Sequence, residues 1–502
     1  MLRVRSFMTK PNRASSVKLA TSVPRETRPA AVEKLREFLE KEGMKSKTGP
    51  RTFADFEREL HERMMEAERD IIASEMAKLD VDAPAILIDG KVHRRVLRQS
   101  QTYETSAGEV VIERTLYKDR TDEDGRCVSP MELVLGVVGD FWTPRAAQQA
   151  LWVVTQMTPK KSAELFKRVG NMTPSKSSLD RLPKLISERW EEDREAFERA
   201  LRDGFEIPEG SASIAISLDG VLAPIDGGNR PTEVRAEAAA EGRISKGPAG
   251  YREASCATLS FCDEKGDLIG AIRLARAPET KKATLKKMLT EEVSAVLRLR
   301  PTLKVVKVAD GAADNWAYLS SDALPTGVQV VDFFHASEHL HAAIANVYGD
   351  GTRETRHRHE VLRDTLRDEP DGAEKVIRAL KHLATKHPRK EVVTRELGYF
   401  RKHKKRMNYA ELKAQGFMIG SGVVEAACKT LVTQRLKQSG MRWSVPGAQA
   451  ILTPRGWDQS ERFDKAWALV AATFQADVTV LANVIALKPQ SAPPKPRVRA
   501  SR

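Results

Sequence analysis

The stretch TLKVVKVADGAADNWAYLSSDALPTGVQVVDFF, residues 302–334, contains two apolar segments of strand length, and an aspartate ends each of them. The first segment ends at Asp310 and the second at Asp332, and helix-like sequence follows both. This alternation predicts neighbouring strands joined by helices, as in an α/β domain. Ligands gather beyond the carboxyl ends of strands in such sheets, so the two aspartates mark the edge where we expect a site.

Three further strands are predicted upstream, at residues 213–225, 253–264 and 266–278, and a helix at 279–299 separates them from the quoted stretch. Three strands followed by helix, strand, helix, strand and helix is the element order of an RNase H-like domain. If the strand order is 3-2-1-4-5, the strand that ends at Asp310 lies beside the strand that contains Asp219, about 4.8 Å away. Asp332 would then lie one strand further out.

The chain of 502 residues is long enough for two to four domains. We predict a mainly helical region at 31–204, which contains a small antiparallel sheet at 89–119. Within it, residues 158–186 resemble a helix-turn-helix, although short helix pairs of this kind are also common in protein cores. The predicted RNase H-like core occupies 205–349 and 416–482, and a helical insertion at 350–415 interrupts it.

The net charge of +14 is concentrated in patches. Residues 1–30 carry seven Lys/Arg and one Glu, residues 488–502 carry five Lys/Arg and no acid, and residues 351–415 carry eighteen Lys/Arg and ten Asp/Glu. We predict that residues 1–30 and 483–502 are disordered basic arms. Alternatively, these basic ends only keep the chain in solution, or residues 1–30 form an organellar transit peptide. A polyanion would meet patches of positive charge on this protein.

Hydropathy and cysteine spacing exclude other classes. No apolar run approaches the roughly 18 to 20 residues of a membrane span, which predicts a soluble protein without a membrane partner. The four cysteines form no CxxC pair, so the sequence indicates neither a zinc ribbon nor a disulfide framework, and a reducing compartment fits best.

Three carboxylates form a potential metal site. Asp310 could simply cap the helix that follows it, but Asp219 lies inside a strand-like segment where capping does not explain it. A third acid, Glu425, begins a helix in GSGVVEAACKTLVTQRLKQSGMRW, residues 420–443, where an ion pair with Lys429 is the alternative role. Like charges that converge require protons or cations, and oxygen donors favour Mg²⁺ or Mn²⁺.

Four segments carry a resemblance to a known family: SLDG at 217–220, VADGA at 308–312, DFFHASEHL at 332–340, and the long block that begins at Gly420. They resemble bacterial insertion-sequence DDE transposases of the ISKra type, which are related to the ISL and Mutator-like groups, over roughly residues 85–475. The resemblance implies that Asp219, Asp310 and Glu425 are both the catalytic residues and the ligands of two Mg²⁺ (or Mn²⁺) ions.

The same resemblance implies DNA transposition, with cleavage of element ends and strand transfer. It implies double-stranded DNA as the partner, both terminal inverted repeats and target, with 31–204 as the region that binds the DNA ends. It also implies a homo-oligomer in the synaptic complex and a cytoplasmic, nucleoid-associated location in a bacterium. Asp332 and His335 are candidate active-site neighbours. The candidate DNA-binding residues, each with a structural alternative as a solvated or core side chain, are Arg401, Lys402, Lys404, Lys405, Arg406, Lys429, Arg435, Lys437, Arg442 and Trp443.

Two other functions are compatible with parts of the sequence. A transposase-derived protein without catalytic activity would bind DNA and not cleave it. The segment HASEH, residues 335–339, also satisfies the His-x-x-Glu-His pattern of a zinc hydrolase, with His335 and His339 as ligands and Glu338 as base.

Overall fold

The computed structural model describes residues 30–42, 52–121, 125–226, 240 and 250–481. The predicted basic arms therefore lie outside the described residues, except for Ala30. The chain divides into two compact units, one that ends at Glu75 and one that begins at Met76. No helix in these ranges has the length and apolar character that crossing a bilayer requires.

The first unit contains α1 (Ala30–Glu37), a π-helical segment (Phe38–Glu42) and most of α2 (Phe53–Lys78). The backbone N–H of Ala31 donates to Asp70 at 3.0 Å, and the rings of Phe38 and Phe56 stack at 6.0 Å between centroids. These contacts hold the two helices together, as the apolar spacing of this region predicts.

A four-stranded sheet opens the second unit, with the order β3-β2-β1-β9 and antiparallel pairing throughout. Its strands are β1 (Ala85–Ile88), β2 (Lys91–Thr105), β3 (Gly108–Asp119) and β9 (Val478–Leu481). Asp89 and Gly90 both have positive φ and form the two-residue turn between β1 and β2, as the twist of such hairpins requires. The hairpin at 89–119 was predicted, but the pairing of β9 with β1 was not.

Five helices follow the small sheet: α3 (Pro130–Leu135), α4 (Pro144–Gln156), α5 (Pro159–Val169), α6 (Lys176–Glu192) and α7 (Arg194–Asp203). Helices α5 and α6 form the predicted pair at 158–186, and Gly170, with φ of 82°, ends the first. The second begins after Ser175, whose side chain accepts from the backbone N–H of Ser178, and so starts slightly later than its Thr173-Pro174 signal suggests. Whether this pair reads DNA stays a prediction.

The second sheet has five strands in the order β6-β5-β4-β7-β8. Strands β4 (Ser213–Pro224), β5 (Tyr251–Cys262) and β6 (Leu268–Arg276) pair antiparallel. Strands β7 (Lys304–Ala309) and β8 (Val328–Val331) run parallel to β4. Numbered along the chain, this is the strand order 3-2-1-4-5 that places Asp310 beside Asp219, and all five strands were predicted.

Helices complete the second unit on both sides of this sheet. They are α8 (Ala283–Leu299), α9 (Ala313–Leu319), α10 (Phe333–Tyr348), α11 (Arg353–Asp368), α12 (Gly372–Lys386), α13 (Glu391–His403) and α14 (Tyr409–Ala414). Next comes α15, with α-helical turns at Gly422–Ala427 and Gln434–Leu436 around the π-helical segment Cys428–Thr433. The last two are α16 (Val445–Gln459) and α17 (Phe463–Ala471).

The two faces of the five-stranded sheet bury different helices. Along β5, Ala257, Leu259 and Phe261 belong to the core that contains the apolar side of α8, whereas Cys256 belongs to the core that contains α15. Successive side chains of a strand point to opposite faces, which explains the alternation. The segment that carries Glu425 therefore packs on the face opposite α8.

Within the second unit, residues 138–201 share a core with the C-terminal helices. Trp190 and Phe197 belong to one apolar cluster with Trp457, Phe463 and Trp467, and the rings of Trp190 and Trp457 lie 4.5 Å apart. Together with the β1–β9 pairing, these contacts join the first half of this unit to the end of the described chain.

Glu104, on β2, leads to a first testable prediction. The residue is completely buried, its Oε1 accepts only the backbone N–H of Thr173 at 3.2 Å, and Oε2 has no hydrogen-bond partner among the described residues. Burial raises its pKa to about 7, so its neutral form is the one that the fold favours. The free-energy cost of ionising the buried Glu104 side chain is absent below the pKa of the unfolded state and grows as the pH rises towards 7. We expect Glu104→Gln to stabilise the protein by up to about 3 kcal/mol at pH 8 and to have almost no effect at pH 4.5.

Urea unfolding at the two pH values measures this difference. Glu113→Gln, at an exposed position on the neighbouring strand β3, is the matched control and should change the free energy of unfolding little at either pH. Equal effects of Glu104→Gln at both pH values would contradict the prediction.

Candidate active site

Asp219 and Asp310 lie close together on the five-stranded sheet, just beyond the point where the parallel pairing of β4 and β7 ends. Ser217 of β4 pairs in parallel with Val308 of β7, and each aspartate follows its member of that pair by two residues. Adjacent strands are about 4.8 Å apart, so the two carboxylates belong to one site. Both residues are partly buried.

Asn315, on α9, links the two strand ends. It is 4% exposed, and its Nδ2 donates to Leu218 O on β4 at 3.3 Å and to Asp310 Oδ1 at 3.2 Å. Trp316 Nε1 donates to the backbone oxygen of Asp310 at 2.6 Å. The six-residue spacing of Asp310 and Trp316 is therefore the spacing that lets the first turn of α9 fold back onto the aspartate.

Asp219 faces α15. Its Oδ1 accepts the backbone N–H of Gly220 at 2.7 Å, and the thiol of Cys428 lies 3.8 Å from Oδ2. Burial raises the pKa of Asp219, the hydrogen bond from Gly220 opposes that shift, and the negative charge of Asp310 adds to it. The two carboxylates therefore repel each other when both are ionised, as two anions at one site must.

Glu425 is joined to Asp332 through Ser421. The Ser421 hydroxyl is within hydrogen-bond distance of both Asp332 Oδ2 and Glu425 Oε1, the latter at 3.0 Å. Partial burial raises the pKa of Glu425, and the nearby carboxyl group of Asp332 and the charge of Asp219 raise it further. The Glu425 carboxyl therefore lies near two other acids, whose negative charges disfavour its ionised form.

Both Asp310 and Asp332 accept a backbone N–H at the start of the helix that follows them, but Asp332 is the more deeply buried of the two. Asp332 is 1% exposed, caps α10 by accepting the N–H of Phe334 at 2.8 Å, and uses its other oxygen for Ser421. Asp310, by contrast, is partly exposed and lies beside the strand of Asp219. Of the two, Asp310 is the better candidate for the middle catalytic acid.

The chemistry of these side chains suits a hard divalent cation, because all the donors are carboxylate oxygens. Their arrangement is open: in the described part of the chain, no group of three or more His, Cys, Asp or Glu side chains is positioned to hold one metal ion together. Asp219 and Asp310 are neighbours, while Glu425 leans towards Asp332. The role of these residues as metal ligands stays a prediction.

The histidines of HASEH form a chain of contacts with α13. His339 bonds to His335 through their Nε2 atoms at 3.2 Å, and its Nδ1 bonds to Glu396 on α13, which is 2% exposed. Tyr399 stacks on His339 at 3.8 Å. A zinc hydrolase needs a third ligand for the two histidines, and within the described residues none accompanies them.

The predicted DNA-binding residues divide by exposure. Arg435 is 1% exposed, its guanidinium donates to Val154 O at 3.2 Å and lies 5.1 Å from the ring of Trp443, and burial lowers its pKa to about 10. Its assignment as a DNA contact was therefore wrong, since a side chain inside the fold cannot reach a phosphate. Trp443 is partly buried and donates to Leu436 O at 3.1 Å, which fits the structural alternative.

The remaining cations of that set lie at or near the surface. Arg406 is half-buried, and the exposed members are Arg401, Lys402, Lys404, Lys405, Lys429, Lys437 and Arg442. Arg442 faces Asp226 at 3.6 Å, and Lys404 pairs with Glu374. Their contacts with DNA remain predictions.

Three residues of the site were not predicted from the sequence: Asn315, Ser421 and Glu396. Asn315 and Ser421 had a local signal, since they lie five residues after Asp310 and four before Glu425. Glu396 had none, because it is one of many acids in a charged helical stretch and its partner His339 is 57 residues away.

Comparisons with known proteins do not identify a family for this chain. No protein-family model matches the chain, and no curated protein sequence matches it. Among solved structures, the chain is similar to the "Drosophila P element transposase strand transfer complex", with 12% sequence identity, a TM-score of 0.25, and coverage of 66% of this chain and 83% of that chain. A similarity at this level does not decide fold or function.

Proposed function

We propose that this protein is a DDE transposase of the ISKra type that cleaves the ends of an insertion sequence and transfers them to target DNA. The proposed catalytic domain is RNase H-like, which the strand order 3-2-1-4-5 and the parallel pairing of β4, β7 and β8 support. The proposed partners are double-stranded DNA and further copies of this chain in a synaptic complex.

One observation carries this proposal. Asp219 and Asp310 lie where the adjacent parallel strands β4 and β7 stop pairing, and the helix that carries the third acid packs against β4 and β5. The charge of Asp310 raises the pKa of Asp219, and the charges of Asp332 and Asp219 raise the pKa of Glu425. The ionised acids therefore repel one another at this place on the sheet. A fold gains no stability from such repulsion, and such sites are typically functional.

In this proposal, Asp219, Asp310 and Glu425 would hold Mg²⁺ or Mn²⁺, two ions in all. Bound there, the cations would activate a water or a 3′-hydroxyl and neutralise the leaving oxygen of the phosphodiester. Asn315 keeps Asp310 in place relative to β4. Ser421 holds the Glu425 carboxyl close to the sheet while that carboxyl is not engaged.

The proposal is tested with the full-length protein and a supercoiled plasmid that carries the ends of its element. With Mg²⁺ or Mn²⁺, we expect nicked and linear products; with excess EDTA, we expect no products, although the protein still binds the plasmid. Cleavage that continues in EDTA would contradict the metal-dependent mechanism. Binding without cleavage in every metal would favour the alternative of a transposase-derived DNA-binding protein.

A further inference from the structure

A cavity of about 410 Å³ lies where the end of α13 and the start of α14 meet β8. The side chains that matter for its chemistry are Lys402, His403, Lys405, Arg406, Asn408 and Glu411. Three are cations and one is an acid, so the cavity has a positive lining. The sequence run RKHKKR had marked this region as basic without indicating which residues act together.

The three cations of the cavity lack carboxylate partners. Within the described residues, no Asp or Glu oxygen lies within 4.0 Å of Lys402, Lys405 or Arg406 in an ion pair. Lys404 differs, because it pairs with Glu374 and does not line the cavity. Of the five cations of this run, Lys404 is therefore neutralised by the fold, three face the cavity unpaired, and Arg401 does not line the cavity.

Arg406 is the fixed member of the group. Its Nε donates to Gln329 Oε1 at 2.8 Å, and its guanidinium lies 4.0 Å from the ring centre of Trp316. Burial lowers its pKa, which reflects a charge that is removed from water without a compensating anion. An arginine held in this way is ordered before any ligand arrives, so a ligand loses less entropy on binding.

His403 supplies a second unsatisfied group. It is 3% exposed, and its Nδ1 has no hydrogen-bond partner among the described residues. Burial lowers the pKa of His403 to about 4, so the ring is neutral at pH 7 and carries a single N–H. The neutral ring adds no charge to the lining, so the positive character of the cavity comes from Lys402, Lys405 and Arg406.

The cavity is coupled to the candidate active site through Trp316. One face of the Trp316 ring contacts Arg406, and its Nε1 donates to the backbone oxygen of Asp310. An anion bound to Arg406 would therefore be connected to the Asp310 backbone through Arg406 and a single indole ring. In a polynucleotide, phosphates follow one another along the strand, so a second phosphate beside the scissile one is a suitable occupant.

We propose that this cavity binds a backbone phosphate of the DNA substrate, next to the one that is cleaved, through Lys402, Lys405 and Arg406. The inference rests on the proposed function for the identity of its ligand. Arginine and lysine are the usual partners of phosphate, and such contacts position a duplex without reading its sequence.

The test compares Lys402→Ala/Lys405→Ala with wild type in the binding of a labelled duplex that carries the element end. The binding constant is measured in EDTA at several salt concentrations, so that no cleavage occurs. We expect the slope of log K against log[salt] to decrease in magnitude by about 0.9, which corresponds to the loss of one phosphate contact. Lys413→Ala is the matched control and should leave the slope unchanged, because Lys413 pairs with Asp368 at 2.9 Å and does not line the cavity.

An unchanged slope in the double variant, or an equal decrease in Lys413→Ala, would overturn the inference. Calorimetry with inorganic phosphate at fixed ionic strength tests the other source of the same chemistry. If inorganic phosphate binds wild type but not the double variant while the slope for DNA stays unchanged, the site belongs to a free phosphate compound and the DNA assignment fails. Because the slope is measured without catalysis, failure of the proposed cleavage reaction would leave this result intact, and the two failures are distinguishable.

Discussion

Asp219→Asn, Asp310→Asn and Glu425→Gln should each lower the rate of Mg²⁺-dependent strand cleavage by at least about a thousandfold. Each replacement keeps the size of the side chain and removes one negative charge from the proposed metal site. Loss of about 4 kcal/mol of transition-state stabilisation corresponds to this factor, and a cation at a reacting phosphate contributes several kcal/mol. Affinity for uncut duplex should stay within about twofold, since binding depends on cations elsewhere.

Asp314→Asn provides the matched control for these variants. Asp314 is an exposed acid on α9, four residues from Asp310 and next to Asn315. We expect it to cleave at the wild-type rate. Any of the three acid variants that cleaves as fast as Asp314→Asn would lose its assigned role, and retention of cleavage by all three would remove the case for a DDE enzyme. Gel assays of nicked and linear plasmid give both results.

Arg462→Met should destabilise the fold strongly. Arg462 and Glu292 form a two-pronged ion pair, with Nη1–Oε1 at 2.8 Å and Nη2–Oε2 at 3.1 Å, and both side chains are below 10% exposure. The variant leaves the Glu292 carboxylate buried without its cation. We expect the free energy of unfolding to fall by about 3 to 5 kcal/mol, as measured by urea denaturation.

Two controls separate the loss of the pair from the loss of a cation. Arg168→Met breaks an exposed pair with Glu164 and should cost less than about 1 kcal/mol. Arg462→Met/Glu292→Leu removes both buried charges and should be more stable than Arg462→Met alone, because no unpaired ion remains. If Arg462→Met is no worse than Arg168→Met, the buried pair does not contribute as the structure suggests.

Local pattern determined much of the fold. The five strands of the second sheet, the helices that follow β7 and β8, and the hairpin at 89–119 could be predicted because each depends on apolar residues a few positions apart. The pairing of Asp219 with Asp310 followed from strand order, since parallel strands place their carboxyl ends at one edge. Asp219 was recognisable from the sequence because an ionised group inside an apolar strand needs a reason to be there.

Other features depended on contacts between distant parts of the chain. Arg435 looked like a surface cation among basic neighbours, but its partner Val154 is 281 residues away, and no local signal distinguishes a buried arginine from an exposed one. The partition of RKHKKR into the paired Lys404 and the unpaired cations of the cavity depended in the same way on Glu374, which lies on another helix.

The sequence by itself determined which residues form strands and helices, which acids end at the edge of the sheet, and the family that the motifs resemble. Only the tertiary structure decided that Ser421 joins the carboxyl groups of Glu425 and Asp332, that β9 completes the first sheet, and that residues 138–201 share a core with the C-terminal helices. The physical reason is that secondary structure follows from the spacing of neighbouring side chains. Burial, ion pairing and the meeting of charges follow from where helices and strands distant in the chain pack together.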